Sequence, residues 1–379
     1  MNQPSPYTPG VVAKSVPGRR AQLRFYTQRA EEIVSLGRFI GRVRVDHAAR
    51  GVGKTSLLRE AERIFARQGA ATVFVTANED ENLLSTIAAE LQALLPAAQR
   101  RTAEIVELVE SVSFSVGAGP VRTSVTVRPG TAASASAGKA FKRLLKKVTE
   151  RLGRGVVVLV DEVQSADKPS LRAIAQGWQE LASEDDPPAA GMFFVGLPGS
   201  VDHIVSAATF AERFSFQPLL GIDEAGSAEA LVLPAQALGV TWEPEALRLA
   251  VSSTNGYPYK VQLMGEAAWE AAGEPDPQQR LTIENVNAAL PSVDKQMRTL
   301  FTARWRTASV KQRELMVAIA ELGGVDVKRE DIVRRLGVDT KVISVPREKL
   351  LQKGLIDANR HGYVSFTLPG FTEYVLEQR

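Results

Sequence analysis

The stretch Arg50-Gly51-Val52-Gly53-Lys54-Thr55-Ser56-Leu57-Leu58 constrains this chain more than any other. Two glycines one residue apart open backbone conformations that side chains forbid, so successive N–H groups can turn inward on one anion. A lysine, a hydroxyl residue and an apolar helical pattern follow at once. Lys54 would reach the β- and γ-phosphates of a nucleotide, and the Thr55 hydroxyl would take a place on Mg²⁺. A helix beginning at about Lys54 adds its positive dipole end to the same anion. The phosphate-holding set is therefore Ala49, Arg50, Gly51, Val52, Gly53, Lys54, Thr55 and Ser56. The full pattern places a glycine where this chain has Ala48, a departure that bears on catalytic rate more than on binding.

A second motif lies far downstream. Val156-Val157-Val158-Leu159-Val160 is a continuous apolar run ending in Asp161-Glu162. Such a run reads as a buried parallel strand, and the carboxyl end of such a strand is where an α/β sheet places its ligand. Asp161 would hold Mg²⁺ through water, and Glu162 would orient or deprotonate an attacking water. A plain acidic strand end is the bland reading; it loses because both motifs occur, in the required order. The strand feeding the glycine turn, Gly41 to His47, alternates apolar and charged residues. Arg44 and Asp46 would have to satisfy each other inside a sheet. His47 has no partner at ligand spacing and reads as structural.

Length and composition set the remaining bounds. A chain of 379 residues holds two or three domains. The net charge of +3 makes no case for nucleic acid. The absence of cysteine excludes disulfides, thiolate metal sites and thiol catalysis, and fits a reducing compartment. The N-terminus is polar and no apolar stretch approaches the roughly 20 residues that span a bilayer, so a soluble cytoplasmic protein without a membrane partner is expected.

In chain order, residues 1–17 read as an extended lead-in. Gly18-Arg19 opens a helical pattern, and an α/β domain extends over 18–222. Within it, about 108–138 reads as an insertion: Ser111 to Val116 and Val121 to Val127 alternate like a hairpin, followed by a flexible Gly/Ala/Ser tract at 130–138. Met192 to Gly196-Leu197-Pro198 is a further strand whose end, near Ser200, would face the phosphates, and Glu212-Arg213-Phe214 precedes the last strand. Residues 223–295 turn alanine- and leucine-rich and helical, with Asp223 as N-cap and Gly256-Tyr257-Pro258-Tyr259 as punctuation. Trp269 and Trp305 sit in helical patterns and read as core.

Residues 296–379 read as three helices and two strands flanking the turn at Asn359 to Gly362, a winged helix-turn-helix. Pro346 confines the third helix to start near Val345. Lys341, Arg347, Lys349 and Lys353 on or near that helix, with Arg360 at the wing tip, form a phosphate-contact set for duplex DNA. Winged helices also dock proteins, and 12 basic against 10 acidic residues over 310–379 do not decide between the two.

On these residues the chain resembles bacterial AAA/STAND-type P-loop ATPases with an origin-recognition-like ATPase domain and a C-terminal winged helix. The resemblance runs from Gly18-Arg19 through Val160-Asp161-Glu162-Val163-Gln164 and Gly256-x-Pro258 to Phe366-Thr367-Leu368-Pro369-Gly370-Phe371. It implies an α/β fold: a P-loop NTPase parallel sheet, a helical lid and the winged domain. It further implies ATP and Mg²⁺ as ligands, Arg19 and Pro258 beside the base, and Arg213 as a finger toward a neighbour's γ-phosphate in a self-associating form; a helix entry with solvated arginines is the plain alternative for Arg19. A surface ion pair with Glu212 is the plain alternative for Arg213. Ring-forming relatives carry a sensor arginine in the lid where this chain has Tyr259 and Lys260, which favours a switch over a processive ring. Two functions follow: a slowly hydrolysing ATP-driven switch reporting to DNA or a protein partner, or a DNA-binding protein of replication, transposition or transcription control with a mainly structural nucleotide site.

Overall fold

The computed structural model describes residues 3–115 and 131–379. By its contacts the chain divides into one unit of Met1–Arg20, Ala48–Leu57 and Pro218–Arg379, and another of Ala21–His47 and Leu58–Gln217. In the latter, helix α1 (Arg20–Val34) leads to strand β1 (Arg44–His47), and beyond the glycine turn α2 (Lys54–Arg67) leads to β2 (Ala71–Thr76). Helices α3 (Leu83–Ala93), α4 (Ala97–Arg100), α5 (Ala103–Ser115) and α6 (Thr131–Leu152) precede β3 (Val156–Asp161). Helix α7 (Lys168–Leu181), β4 (Ala190–Gly196), α8 (Ser200–Ala207) and β5 (Ser215–Pro218) complete it.

The strands form one sheet in the order β2-β3-β4-β1-β5, with β2–β3, β3–β4 and β1–β4 parallel. Every residue of β3 and β4 is buried, as helices on both faces of a parallel sheet require. The registers Val160↔Phe194 and Asp46↔Val195 set the carboxyl ends of β3, β4 and β1 side by side. The charged strand β1 resolves itself in place. Arg44 grips Asp46 at 2.8–3.0 Å, Tyr26 donates to Asp46 Oδ2 at 2.8 Å, and the Arg44 guanidinium lies 4.1 Å from the Phe25 ring centre. Burial lowers the His47 pKa, so that ring stays neutral at physiological pH.

The expected hairpin insertion is corrected. Residues 111–115 end a helix, residues 131–138 begin another, and the second expected strand, Val121 to Val127, lies outside the described residues. Ile105, Leu108, Val109 and Val112 recur at helical spacing, and Ile105 and Val112 are fully buried in the same core as Phe141, Leu144 and Val148 of α6. That longer period overrides the short alternation. The small-residue tract is close packing: a Cβ on Gly138 would lie 2.8 Å from the Ala173 carbonyl, and one on Gly177 2.6 Å from the Gly138 carbonyl.

In the other unit, α9 (Glu224–Ala237), β6 (Thr241–Trp242), α10 (Pro244–Thr254), α11 (Pro258–Ala271), β7 (Arg280–Leu281) and α12 (Ile283–Arg306) follow one another. Asp223 caps α9 by accepting from Gly226 N at 2.7 Å. The expected boundary near residue 295 falls inside α12, whose Val286, Ala289 and Val293 are buried before it and Met297 and Phe301 after it. The lead-in is extended but anchored. Tyr7 is 1% exposed, receives the Trp242 Nε1 hydrogen at 3.1 Å and meets Trp269 edge-on at 6.2 Å.

The C-terminal residues form α13 (Val310–Glu321), β8 (Val327–Lys328), α14 (Arg329–Leu336), α15 (Thr340–Gln352), β9 (Ile356–Asp357), β10 (Tyr363–Phe366) and α16 (Phe371–Glu377). A small antiparallel sheet runs β8-β10-β9. Helix α15 starts earlier than expected, with Pro346 in its interior. Asp339 caps it, accepting from Lys341 N at 2.8 Å. Pro346 leaves the Val342 carbonyl without its helical donor, and Val342 is exposed, so water can serve that carbonyl. Trp269 is core as expected; Trp305 is half-buried under Arg313 and lines a groove of about 460 Å³. No helix among the described residues is long and apolar enough to cross a membrane.

Candidate functional site

Gly51 (φ +81°) and Gly53 (φ +90°) both take left-handed backbone, the reason for glycine at these two positions. Ala48 is not among the residues at positive φ, so the fold does not require a glycine there. Lys54, 5% exposed, sends its ammonium back across the turn to the Ala49 carbonyl at 2.9 Å. Helix α2 begins at Lys54, and its first helical bond, Leu57 N to Gly53 O, is 2.9 Å. A Cβ on Gly53 would meet nothing within 4 Å, so that side of the turn is open. Left-handed glycines, a helix N-terminus, a spanning lysine and the adjacent Thr55 hydroxyl fit a polyphosphate with a hard divalent cation. Ser56 contributes differently from expectation: its hydroxyl accepts from Ala13 N at 3.0 Å, tying down the N-terminal segment.

The turn is braced from two directions. Arg19 is buried, and its Nη1 and Nη2 donate to the carbonyls of Leu220 (2.7 Å) and Val52 (2.9 Å). Such charge-assisted bonds contribute about 1.5–3 kcal/mol each. The expectation of a base contact is thereby corrected: the guanidinium is committed to main-chain carbonyls and positions the loop. From the other direction, Tyr257 donates its hydroxyl to Arg50 O at 2.9 Å, and Tyr259 N donates to Gly51 O at 3.1 Å. A Cβ on Gly51 would overlap the Tyr257 hydroxyl. Burial raises the Tyr257 pKa, keeping that hydroxyl protonated as a donor. Gly256 O accepts from Ile222 N at 2.9 Å, and Pro258 fills the first turn of α11, where no N–H is needed. Sequence reasoning missed Tyr257; its place between Gly256 and Pro258 was the only signal.

At the end of β3, Asp161 is 3% exposed and its Oδ1 accepts from Glu162 N at 2.8 Å. Glu162 has φ +53°, a conformation costing a non-glycine residue about 1–3 kcal/mol. Gln164 Nε2 donates to Glu162 Oε2, while Gln164 Oε1 accepts from Leu197 N at 2.9 Å and Ser200 Oγ at 3.4 Å. The amide thus fixes the carboxylate to the end of β4. Ser200, expected to face phosphates, is fully buried in this network. Arg213 ends a 3-10 turn, Thr209–Arg213, and is exposed; among the described residues it forms no ion pair with Glu212.

The five basic residues at the C-terminus differ in exposure and in partners. Lys353 donates to Thr307 O at 2.6 Å and Gln312 Oε1 at 2.7 Å, and burial lowers its pKa. That corrects its assignment as a phosphate contact: it ties α15 back to the start of α13. Arg347 is half-buried, and Arg360 stacks 3.9 Å over the Tyr363 ring. The exposed side of α15 carries Lys341, Glu348 and Lys349 with Val342 (52% exposed) and Val345 (63% exposed).

A family model described as an AAA ATPase domain matches residues 15–187, and one for a domain of unknown function (DUF8462) matches residues 298–375. No match is found among curated proteins. Among solved structures, the chain is similar to the Walker-type ATPase paby2304 of Pyrococcus abyssi, at 15% identity and a TM-score of 0.58, over 99% of this chain and 98% of that one. It is also similar to the Aeropyrum pernix ORC2 protein, at 16% identity and a TM-score of 0.54, over 98% and 94% of the two chains. Sheet order, glycine turn and C-terminal helical domain together give this chain the P-loop ATPase fold in its origin-recognition-like form.

Proposed function

We propose that the protein is an ATP-binding, slowly hydrolysing switch whose lid and C-terminal winged helix report nucleotide state to a macromolecular partner. The observation that carries this reading is the latch on the glycine turn: Tyr257 on Arg50 O and Tyr259 N on Gly51 O. A lid bonded to the phosphate-binding backbone feels any adjustment of that backbone when phosphates arrive or leave. The fold-mate from Aeropyrum pernix was captured with ADPNP and ADP, which supports the same ligand class. In this reading the backbone of Ala49 to Ser56 and Lys54 hold the phosphates, Thr55 and Asp161 are the residues suited to magnesium, and Pro258 lies against the base. Bound Mg·ATP supplies the scissile anhydride and the cation that neutralises its developing charge. Glu162 orients the attacking water after Gln164 lets go of it, and that release makes turnover slow. Arg213, exposed, is free to serve a neighbouring copy.

The exposed valines of α15, the acidic Glu348 beside them and the inward Lys353 favour a protein partner over duplex DNA for the winged helix. Duplex binding predicts affinity that falls steeply with salt; retention of random duplex at low salt by the full chain would restore the DNA reading. Hydrogen exchange tests the switch itself. Residues 49–56 should be protected by both ATP·Mg and ADP·Mg, while 256–271 should exchange differently in the two. Identical lid exchange with ATP, ADP and no nucleotide would refute it.

A further inference from the structure

Residues 3–13 run from helix α11 to the first turn of α2, and the proposed switch gives them no task. Their first anchor is aromatic. The Tyr7 ring lies where a Cβ on Gly265 of α11 would come within 2.5 Å, and the Tyr7 hydroxyl donates to Leu231 O of α9. Glycine is a poor residue for a helix interior, and the ring it admits explains this one. Gln3 Nε2 donates to Pro275 O at 2.9 Å, Trp269 Nε1 donates to Gln3 O at 2.9 Å, and Thr8 N donates to Gln262 Oε1 at 3.2 Å. Thr8-Pro9-Gly10-Val11 then turns the chain, with Val11 N on Thr8 O at 3.2 Å and Gly10 at φ +82°. The second anchor follows at once: Ala13 N donates to Ser56 Oγ at 3.0 Å, one residue from Thr55.

Helix α11 is thus held to the phosphate-binding segment twice. Its start is bonded directly, Tyr257 to Arg50 O and Tyr259 N to Gly51 O. From Tyr257 to Gly265 is about 12 Å of helix, at about 1.5 Å per residue, and there Tyr7 takes hold. A rod fixed at one end swings about that end; fixed at a second point, it moves only with the body that holds both. We propose that residues 3–13 are a positioning strap, anchored by Tyr7 and Ser56, that makes α11 follow the phosphate-binding turn as one lever. Only residues 8–12 separate the anchors, so the strap has little slack. The inference rests on the nucleotide-switch reading and goes further in naming the part that carries movement of the turn along the whole of α11.

The test is to lengthen the strap without touching its anchors. A Cβ on Gly10 would meet nothing within 4 Å and Val11 is 67% exposed, so about ten Gly/Ser residues inserted after Gly10 have room. The same insertion after Asp185, in an exposed loop of the sheet-bearing unit, is the control. Calorimetry with ATP·Mg and ADP·Mg and hydrogen exchange of α11 are read on both full chains and on wild type. A tether about threefold longer holds its ends at about fivefold lower effective concentration, so the slack chain should bind both nucleotides about fivefold more weakly. Its exchange should still follow nucleotide at 257–260 and no longer do so at 265–271, while the control should match wild type. Ser56→Ala removes the acceptor for Ala13 N and should weaken binding by a similar factor, with Ser56→Thr restoring it. In the slack chain Ser56→Ala should add little, because the two changes break one device. Should the slack chain fail to melt cooperatively, the Ser56 pair decides. Wild-type affinity and exchange in the slack chain, equal losses in the control, or no effect of Ser56→Ala would overturn the inference. A wild-type chain whose α11 exchange ignores nucleotide would instead overturn the reading beneath it.

Discussion

The glycine turn and helix α15 both carry several basic residues, and they hold them in opposite ways. At the turn, Lys54 and Arg19 are buried and bonded to main-chain carbonyls of the same loop, so positive charge is fixed around one small volume. On α15, Lys341 and Lys349 stand in solvent, Lys353 is turned inward, and valines separate them. The first arrangement pre-organises a site for one defined anion. The second is a surface with mixed chemistry, and its charge alone does not name a partner. Basic residues thus report a ligand only where the backbone also converges.

Four substitutions would break or sharpen this contrast. The largest effect is expected at Glu162→Gln, which should keep ATP affinity while lowering turnover by about 10²–10³-fold in a steady-state phosphate-release assay. Equal loss of binding and turnover would remove Glu162 from the water-orienting role. Next, Gly51→Ala forces a side chain into left-handed backbone and into the Tyr257 hydroxyl. We expect ATP affinity to drop by about 5–150-fold from a strain of about 1–3 kcal/mol, with partial recovery when Tyr257→Phe is added. No recovery would mean that the latch and the turn are not coupled.

The remaining two effects belong to the C-terminal region and should leave nucleotide affinity unchanged. Burial, and secondarily Asp326, raise the Asp357 pKa to about 6. A raised carboxylate favours folding fully below its unfolded pKa near 4, and that contribution fades as pH rises through 6. Asp357→Asn should therefore stabilise this region by about 2 kcal/mol at pH 7.5 and by nothing at pH 4, read from thermal unfolding at both. Equal stabilisation at the two pH values would show that Asp357 is not titrating. Lys353→Met, the smallest change, removes two hydrogen bonds and should cost about 1–2 kcal/mol of stability. A large loss of duplex binding without loss of stability would return Lys353 to the phosphate-contact role.

Where chemistry demands fixed residue types at fixed spacing, the sequence was legible. The glycine turn, the helix start at Lys54 and the buried strand ending in Asp161 stand where spacing and hydropathy placed them. Asp223 was readable as a cap for the same reason. What escaped depends on partners distant along the chain. Arg19 looked solvated or ligand-facing because the carbonyls it serves lie 33 and 201 residues away. The helix at Ala103–Ser115 was hidden by a short alternation inside a longer helical period. Pro346 misled because a proline is tolerated mid-helix where the freed carbonyl faces water. Tyr257 and Gln164 stand inside recognisable stretches that assign them no role; their roles come from what they touch.

The central claim is that backbone amides of residues 49–55 and the Lys54 ammonium grip a triphosphate. Calorimetric titration of millimolar ATP·Mg into wild type and Lys54→Ala tests it most directly. The account predicts saturable one-site binding by wild type and an affinity at least about a hundredfold weaker for Lys54→Ala, the loss of two charge-assisted bonds. Absence of binding by wild type, or equal affinities for the two proteins, would contradict it.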